Sequence, residues 1–393
     1  MSIVIIGGGV IGLSAAYHLA RKGAKDIIVL EKGEVGSGSS SRAAGIITGH
    51  LWSETGVRAR KISLQRYREL SEELDGYTFQ ASGTLNLFDA VSWKEREALL
   101  PLYDQLDVPY EVLDATEIHY RWPKLTPDTA SGIVGLYDPL GGYSEPQRYI
   151  PAIAAKARQL GVEIRENQIV TGFERNGDTF TGVQTADGTI PAERIISASH
   201  IWTNHLLGTA GLTLPMRAIV HQRYVTAPLT EAVNIPAVNA NPYGAYVRPA
   251  EGNCILAGYE TPNPTPFDIP SMDFDMASVR TPEVYQQRLK DNLTPLLPRL
   301  KDTSWATEHV GLLSFSADEE PILGELAPGL IVAGSFHSGG FAYNPVAGLL
   351  LAETALSETP SINVDTFAPT RFANLDADDL ANQRNTSTIQ RRH

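Results

Sequence analysis

Three glycines and one glutamate near the N-terminus have the spacing of a dinucleotide-binding site. Gly7-x-Gly9-x-x-Gly12 follows an apolar β-branched run and precedes a segment with helical periodicity, and Glu31 ends the next apolar run. In such a motif Gly7 permits a tight turn, Gly9 lets backbone amides approach a pyrophosphate, and Gly12 allows close packing of a helix on a strand. Glu31 is then placed to accept hydrogen bonds from an adenosine ribose. Because an acidic residue disfavours a 2′-phosphate, the pattern predicts FAD or NAD rather than NADP.

The loop that follows Glu31 favours FAD over NAD. Residues 36–45 read Gly-Ser-Gly-Ser-Ser-Ser-Arg-Ala-Ala-Gly, at a place where an NAD-binding Rossmann domain would continue into a helix. A cofactor larger than NAD could lie along these small side chains. A flexible surface loop has the same composition, so the loop alone leaves both interpretations open.

Hydrophobic periodicity places these residues in a mixed α/β (α+β) fold. A buried strand ends at Ile6, a helix covers Val10–Lys22 and a second strand covers Asp26–Leu30, which together form a βαβ unit with a right-handed crossover. Further helices are predicted at 57–74, 93–106 and 146–160, and one after Pro345. Further strand patterns occur at 83–88, 162–164, 169–175, 179–185, 190–198, 329–333 and, as several short segments, within 215–259.

Composition limits the classes of function. The 393 residues include 32 Lys and Arg against 45 Asp and Glu, a net charge of −13, which is the wrong sign for binding a nucleic-acid backbone. Cys254 is the single cysteine, so neither a disulfide framework nor a thiolate metal cluster can form within the chain. The apolar start is interrupted by glycines, and no uninterrupted apolar run is long enough to span a bilayer. We predict a cytoplasmic protein with no transmembrane segment, no nucleic-acid partner and no bound metal.

Longer motifs carry a resemblance to a known family. The glycine motif, the Glu31 strand, the serine-rich loop and a late Gly-x-x-x-x-Gly-Gly-Phe-x-x-x-Pro-x-x-Gly motif at 334–348 resemble the D-amino-acid oxidase (DAO) superfamily of flavoproteins. Segments 215–228, 246–249 and 256–260 are similar to the branch that contains dimethylglycine and sarcosine dehydrogenases, and glycine oxidase is another member. The resemblance extends to about residue 357 and does not include the folate-binding half of those dehydrogenases.

The resemblance implies a discontinuous, Rossmann-like FAD-binding domain with an inserted substrate domain built on an antiparallel sheet. The FAD-binding domain is then expected at 1–80, 145–214 and 311–368, the substrate domain at 81–144 and 215–310, and a polar C-terminal tail at 369–393. The residues expected to contact FAD are Gly7, Gly9, Val10, Ile11, Gly12, Glu31, Lys32, Ser39, Ser40, Ser41, Arg42, Ala44, Gly45, Ile46, Val170, Ala198, Trp202, Gly334, Gly339, Gly340, Phe341 and Ala342.

The resemblance also bears on how FAD is held. Relatives that attach flavin covalently use a histidine at the position of Arg42, or a cysteine just before the segment that begins at Leu313, and this chain has neither. We therefore predict non-covalent FAD. By resemblance the last helix points its positive end at the flavin pyrimidine ring, and Asn344 followed by Pro345 predicts its start, as N-cap and first helical residue.

Four residues are candidates for the substrate side of the site. By resemblance His221 and Tyr246 face the substrate in front of the flavin, where His221 would accept or tune the amine proton and Tyr246 would hydrogen-bond a carboxylate or nitrogen. Arg248 would bind a carboxylate with its guanidinium fork, and His337 precedes the flavin-facing glycines. Structural interpretations stay open as well: a hydrogen-bonded His221, a core Tyr246 and a salt-bridged Arg248.

The predicted activity is FAD-dependent oxidation of a C–N bond in an amine or amino acid, by hydride transfer to flavin N5 followed by hydrolysis of the imine. A secondary or tertiary amine, such as an N-methyl or cyclic amino acid, is favoured. One alternative is a D-amino-acid or opine dehydrogenase that passes electrons to a quinone or a partner subunit. Another is a catalytically inactive FAD-binding subunit. The electron acceptor, whether O2, a quinone or a partner protein, and an oligomeric state are left open.

Overall fold

The computed structural model describes residues 1–262, 264 and 266–373. In this part of the chain the strands are β1 (Ile3–Ile6), β2 (Ile27–Leu30), β3 (Ile46–Ile47), β4 (Thr84–Phe88), β5 (Glu111–Asp114), β6 (Val134–Asp138), β7 (Gly142–Tyr143), β8 (Glu163–Arg165), β9 (Val170–Asn176), β10 (Thr179–Thr185), β11 (Gly188–Pro191), β12 (Arg194–Ser197), β13 (Met216–Thr226), β14 (Ala237–Ala240), β15 (Ala245–Ala250), β16 (Cys254–Tyr259), β17 (Trp305–Ser316), β18 (Ile322–Ala327) and β19 (Leu330–Gly334). The α-helices are α1 (Val10–Arg21), α2 (Glu54–Glu73), α3 (Ala90–Glu97), α4 (Leu100–Gln105), α5 (Ala115–Arg121), α6 (Pro146–Gln159), α7 (Thr203–Gly208), α8 (Val284–Leu293) and α9 (Gly340–Ala355).

A six-stranded sheet contains the βαβ unit predicted at the N-terminus. Its order is β18-β19-β12-β1-β2-β8, and its neighbouring strands are parallel except for β18 with β19. All four residues of β1 are buried, as a continuous β-branched run predicts for a central parallel strand. Helix α1 connects β1 to β2 and packs against α9. Gly348 allows this contact, because a Cβ at that position would lie 2.2 Å from Ser14 Oγ.

A second sheet has eight strands and is mostly antiparallel, in the order β17-β13-β16-β15-β14-β4-β6-β5. β14 pairs with β4 in parallel, and the other neighbouring strands are antiparallel. Every second residue of these strands, such as Val238 of β14 and Val247 of β15, packs into an apolar core that includes Leu289 and Leu293 of α8. Because side chains alternate along a strand, the neighbouring residues of each strand point to the opposite face of the sheet. The mixed α/β fold with an antiparallel sheet is therefore confirmed.

Several stretches of secondary structure differ from the prediction. The single strand predicted at 190–198 is wrong, since β11 ends at Pro191 in a three-stranded sheet and β12 begins at Arg194 in the six-stranded sheet. The single helix predicted at 93–106 is wrong, since α3 ends at Glu97 and α4 begins at Leu100. Pro101 lies at the first turn of α4, where its missing N–H is tolerated, but it cannot continue a helix that comes from α3. β17 was not predicted, and it runs across the expected domain boundary after residue 310.

The predicted domain limits stay a prediction. Of the expected C-terminal tail, Pro369–Phe372 form a 3-10 turn with Phe372 buried, and residues 374–393 lie outside the described residues. None of the helices in the described ranges is long and apolar enough to cross a membrane.

Candidate active site

One cavity joins the two sheets. It lies at the carboxyl ends of β1, β2, β12 and β19, where open α/β sheets bind ligands, and it continues to the polar face of the eight-stranded sheet. The predicted site residues that line it are Gly7, Gly9, Val10, Ile11, Glu31, Lys32, Ser39, Ser40, Arg42, Ala44, Gly45, Ile46, Val170, Ala198, Trp202, His221, Tyr246, Gly334, His337, Gly340 and Phe341. The predicted residues that do not line it are Gly12, Ser41, Arg248, Gly339 and Ala342.

The glycine turn after β1 leaves no room for side chains. Gly7 has a φ of +107°, and a Cβ on it would lie 2.6 Å from the carbonyl oxygen of Ala198. A Cβ on Gly12 would lie 2.0 Å from the carbonyl oxygen of Gly7. Gly12 therefore packs α1 against the turn, which is the role its spacing predicts, and it does not form part of the cavity wall. The amides at the start of α1 are thereby brought to the cavity.

Glu31 is held in place by backbone amides. Its Oε2 accepts a hydrogen bond from the Gly8 N–H at 2.7 Å, and its Oε1 accepts one from the Gly33 N–H at 2.9 Å. A carboxylate offers about four acceptor positions, so two remain for a ligand. Glu31 is thus a fixed acceptor in the cavity wall, of the kind that binds ribose hydroxyls.

Lys32 and Trp202 form a second polar group near Glu31. Lys32 Nζ lies 4.2 Å from the centre of a Trp202 ring and donates to the carbonyl oxygens of Met272 and Phe274 at 3.1 and 2.5 Å. Burial lowers the pKa of Lys32. The buried Trp202 Nε1 has no hydrogen-bond partner among the described residues, so it is a donor that a ligand could use.

The serine-rich loop is fixed between α1 and β17. Ser40 Oγ accepts from the Val10 N–H at 3.0 Å, and Ser39 Oγ donates to the Leu312 carbonyl at 2.7 Å. Arg42 donates to the carbonyl oxygens of Ser37 and Gly38 in its own loop, and burial lowers the pKa of its guanidinium.

Ser41 is the member of this loop that does not line the cavity. Its hydroxyl is exposed and donates to the Gly38 carbonyl at 3.3 Å. Ser41 therefore forms a hydrogen bond within its own loop. Most other residues of that loop form one wall of the cavity.

Helix α9 begins earlier than predicted. It starts at Gly340 with Gly339 as its N-cap, so the start predicted at Asn344 and Pro345 is wrong. Gly340 and Phe341 line the cavity, which directs the positive end of the helix toward a ligand. Gly339 is covered by a guanidinium, since a Cβ there would lie 2.5 Å from an Nη atom of Arg60. Ala342, on the next part of the turn, is buried in the apolar core.

Asn344 replaces a hydrogen bond that Pro345 cannot make. Pro345 has no N–H, so the Phe341 carbonyl lacks its usual donor four residues later. That oxygen accepts instead from Asn344 Nδ2 at 2.6 Å and from the Tyr67 hydroxyl at 2.5 Å. Asn344 Oδ1 accepts from the Tyr149 hydroxyl at 2.6 Å. The Asn-Pro pair therefore lies within α9 and satisfies its backbone there.

His221 and Tyr246 meet at the other end of the cavity. His221 Nε2 lies 3.0 Å from the Tyr246 hydroxyl, and the two rings are stacked with centroids 5.7 Å apart. They lie on β13 and β15, which are separated by β16. Gly258 of β16 lets the Tyr246 ring cross, because a Cβ there would lie 2.0 Å from Tyr246 Cζ. Gly258 belongs to the segment 256–260 that carries the family resemblance, but the sequence did not show its function, which depends on this strand order.

His337 also lines the cavity. It has a φ of +55°, its Nε2 lies 3.3 Å from Ser316 Oγ, and its ring packs on Phe315 with centroids 4.7 Å apart. A non-glycine residue at positive φ is uncommon, so the surrounding structure fixes this imidazole next to the start of α9.

Arg248 is held away from the cavity by a buried ion pair. Its guanidinium has no exposed surface and donates from Nη1 and Nη2 to the carboxylate of Glu145 at 2.7 and 2.9 Å. Its Nε donates to the Ala44 carbonyl at 2.6 Å. The structure therefore places Arg248 behind the Ala44 loop as its support, in agreement with the salt-bridge interpretation, and not where a substrate carboxylate would bind.

Several residues of the cavity wall were missed from the sequence. They include Gln222, Asn239 and His309, which lie on strands of the second sheet. Burial beside Arg223 and Arg42 lowers the pKa of His309 to about 4, which keeps this imidazole neutral near pH 7. Asn239 is a polar residue inside the apolar run Ala-Val-Asn-Ala, and that interruption is the one signal that could have marked it.

Comparison with known proteins establishes the family. The chain matches the DAO family, described as FAD dependent oxidoreductase, over residues 2–354. The chain belongs to this family. It is 31% identical over 380 residues to 4-methylaminobutanoate oxidase (formaldehyde-forming) of Paenarthrobacter nicotinovorans, a match that covers 94% of the chain and 45% of that protein. It is 30% identical over 385 residues to the sarcosine oxidase subunit beta of an Arthrobacter species, which covers 94% of the chain and 90% of that subunit.

A solved structure supports the same family. The crystal structure of L-proline dehydrogenase from P. horikoshii matches with a TM-score of 0.86 and 26% identity, covering 95% of this chain and 97% of that one. The resemblance read from the sequence is thus confirmed. This DAO-family chain spans less than half the length of the 4-methylaminobutanoate oxidase and dimethylglycine dehydrogenase relatives that it matches.

The cavity walls of this DAO-family protein fit FAD. Glu31, which backbone amides hold in place, would be an acceptor for the adenosine ribose, and Trp202 Nε1 is a buried donor without a partner in the described chain. The glycine turn and the amides at the start of α1 suit the pyrophosphate, and the start of α9 suits the flavin ring. In the described residues no group of three or more His, Cys, Asp or Glu side chains could hold a metal ion.

Proposed function

We propose that the protein oxidises a C–N bond of a small secondary or tertiary amine, of the N-methyl or cyclic amino-acid class, with FAD bound non-covalently. The observation that carries this proposal is the His221–Tyr246 pair, which lies in the wall of the same cavity as the glycine turn and Glu31. When bound, FAD supplies the hydride acceptor. The chain has to orient the substrate carbon, keep the amine nitrogen unprotonated and exclude water.

His221 and Tyr246 are suited to handling the amine proton. An imidazole titrates near neutral pH, and the contact of 3.0 Å gives His221 Nε2 a path to the Tyr246 hydroxyl. A substrate ammonium that faces this pair can pass its proton to the His221 imidazole, either directly or through the Tyr246 hydroxyl, which gives its own proton to His221 Nε2 as it takes the one from the amine. The substrate is then a neutral amine, which is the form whose lone pair assists loss of hydride. The pair also limits how the amine can be oriented.

The names of the matched proteins support the substrate class. They refer to 4-methylaminobutanoate, sarcosine and L-proline, which are all amino acids whose nitrogen carries a second carbon substituent. We extend that class to this chain as a proposal, because the chain is shorter than the first of those proteins. The electron acceptor, the oligomeric state and the cytoplasmic location stay predictions.

Non-covalent attachment of FAD is supported by the residues at the two positions where relatives attach flavin, which are Arg42 and the segment just before Leu313. These two positions are close together in the structure, since a Cβ on Gly311 would lie 3.2 Å from the Arg42 side chain. Neither Arg42 nor the Gly311–Leu312 segment offers a histidine or cysteine, and Cys254 lies in β16 and does not line the cavity. Precipitation with trichloroacetic acid should release all of the flavin, and a yellow pellet would contradict this part of the proposal.

The deciding experiment is anaerobic reduction of the protein-bound flavin. The purified protein, supplied with FAD, is mixed with a panel of N-methyl, N,N-dimethyl, cyclic and D-amino acids while flavin absorbance is followed. We expect bleaching by N-methyl or cyclic compounds, and slower bleaching with a changed pH profile in His221→Ala. Bleaching by D-amino acids alone would favour the D-amino-acid dehydrogenase alternative. Bound flavin that no amine reduces would favour the inactive subunit.

A further inference from the structure

Asn239 lies beside the proposed amine site. In the register of the second sheet, Asn239 of β14 is paired with Tyr246 of β15 on one side and with Asn86 of β4 on the other. Directly paired residues point to the same face of a sheet, and the Tyr246 hydroxyl contacts His221 Nε2 on that face. Asn239 lines the cavity and is only 1% exposed. It therefore belongs to the same buried wall as His221 and Tyr246.

The orientation of the Asn239 amide is fixed by its neighbours. The Leu136 carbonyl can only accept a hydrogen bond, so Asn86 turns its Nδ2 toward that oxygen, at 3.5 Å. Asn86 then presents Oδ1 to Asn239, whose Nδ2 donates to it at 2.7 Å. Turning both amides over would place Asn86 Oδ1 against the Leu136 oxygen, acceptor against acceptor. Asn239 consequently keeps its Oδ1 for another partner.

That oxygen has no hydrogen-bond partner in the part of the chain that the structure describes. Buried polar atoms are almost always paired, and an exception in a cavity wall indicates a partner that the ligand supplies. An amide oxygen can only accept, so the partner has to carry an N–H or O–H group. A carboxylate or a neutral tertiary amine has none to offer.

We propose that Asn239 Oδ1 accepts a hydrogen bond from the N–H of the substrate amine, and that the protein thereby selects secondary amines over tertiary ones. This inference rests on the proposed function and narrows its substrate class. Once deprotonated for hydride loss, a secondary amine still has one N–H for Asn239, whereas a tertiary amine has none. Asn86 acts as a positioning residue, since it determines which end of the Asn239 amide faces the ligand.

The test compares matched amines that differ by one methyl group. Sarcosine with N,N-dimethylglycine, and L-proline with N-methyl-L-proline, are compared in the reductive half-reaction of the FAD-loaded protein. For each amine the rate of flavin reduction divided by the apparent Kd is taken at its high-pH limit, where the amine is neutral. We expect the secondary amine to be preferred, and we expect Asn239→Leu to reduce that preference roughly 5- to 10-fold, the effect of one neutral hydrogen bond.

Asn239→Leu removes the acceptor and keeps a side chain with the same branching at Cγ, so it separates loss of the hydrogen bond from loss of the side chain itself. If the preference for the secondary amine is unchanged in this variant, steric exclusion explains it and the proposal is overturned. Asn86→Leu should lower the preference by a smaller factor, because the Asn239 amide can then turn over. Asn176→Leu, the same change at an exposed residue far along β9, is the control and should leave the preference unchanged.

Two further measurements keep the test decisive. If Asn239→Leu does not retain FAD, Asn239→Ala removes the acceptor without adding volume and is judged by the same ratio. If no amine reduces the wild-type flavin, the proposed function has failed. Binding of the same amine pairs, followed by perturbation of the flavin spectrum, then judges Asn239 separately: equal affinities for the secondary and tertiary members would overturn its role.

Discussion

The two ends of the cavity are built from different parts of the chain. The nucleotide end is built around backbone groups and one carboxylate that lie between Gly7 and Glu31, close together in sequence, and the serine-rich loop and Trp202 complete its wall. The substrate end uses side chains such as His221, Asn239 and Tyr246, which meet only because their strands pair. We therefore expect the nucleotide end to lose its geometry when a single atom is added to its backbone turn. We expect the substrate end to keep its shape after a substitution and to change which amine it prefers.

The strongest way to test this contrast is to add one methyl group at the nucleotide end. Gly12→Ala places a Cβ 2.0 Å from the Gly7 carbonyl oxygen, and neither backbone can move without opening the turn. We expect loss of FAD from the purified protein and destabilisation of at least about 3 kcal/mol, the upper range for overpacking. Urea unfolding and the flavin content after purification measure both effects.

The control for this variant is Gly208→Ala. Gly208 lies at the end of α7, has no positive φ, and a Cβ on it would have no heavy atom within 4 Å. It should bind FAD like the wild type. Normal flavin content in Gly12→Ala would show that the turn adapts, and the proposed difference between the two ends would then be wrong.

The next largest effect is expected at Arg248, which supports the loop between the two ends. Arg248→Met leaves the Glu145 carboxylate buried without its partner, and breaking such a pair costs about 3–5 kcal/mol. The free energy of unfolding should fall by that amount, and Glu145→Gln in the same chain should restore much of it. If stability is retained while the apparent Kd of an amino-acid substrate rises strongly, Arg248 acts on the substrate after all.

At the nucleotide end, a substitution that keeps the backbone should have a smaller effect. Glu31→Gln preserves size, but it removes the negative charge and places an NH2 donor against the N–H of either Gly8 or Gly33. The acceptor for the ribose hydroxyls is thereby weakened and displaced, so FAD affinity should fall roughly 10- to 100-fold, the range for a hydrogen bond to a charged group. Titration of the apoprotein with FAD measures this change. Glu34→Gln, at an exposed residue three positions later, is the matched control and should bind FAD normally. An equal Kd in both variants would remove Glu31 from the site.

The same contrast explains what could be predicted from the sequence. The glycine turn, Glu31 and the βαβ unit were predictable because their contacts are local and their spacing is set by one turn and one helix. The predicted start of α9 was wrong because Asn344 and Pro345 have the sequence pattern of a helix N-terminus. In the structure the Asn344 side chain lies inside the helix and forms hydrogen bonds with Tyr67 and Tyr149, which come from distant helices.

The substrate end depended on strand order, which the sequence does not specify. Arg248 and Tyr246 are two residues apart on β15, and both have chemistry that suits an amino-acid site. Only the fold shows that Glu145, which is distant in sequence, forms a buried ion pair with Arg248. Asn239 was missed for the same reason, since its partners lie on β4 and β15.

The smallest expected effect is on the pH dependence of stability at the substrate end. Burial beside Arg223 and Arg42 lowers the pKa of His309 to about 4 from its ordinary value of 6.5. Between these pH values the unfolded chain takes up a proton that the folded chain does not, so the free energy of unfolding falls as the pH falls through this window. His309 contributes at most about 1.4 kcal/mol per pH unit. Solvent screening reduces the contribution, because the side chain is half-buried.

His309→Gln should therefore make the stability of the FAD-bound protein less sensitive to pH between about 6.5 and 4, as measured by urea unfolding at a series of pH values. His119→Gln is the matched control, the same change at an exposed side chain. Some acid sensitivity should persist, because burial lowers the pKa of His18, in the last turn of α1 and outside the cavity, to about 3. An identical pH dependence in His309→Gln and the wild type would mean that His309 is protonated to the same extent in the folded and unfolded chains. Burial and the nearby Arg223 and Arg42 would then not lower the pKa of His309.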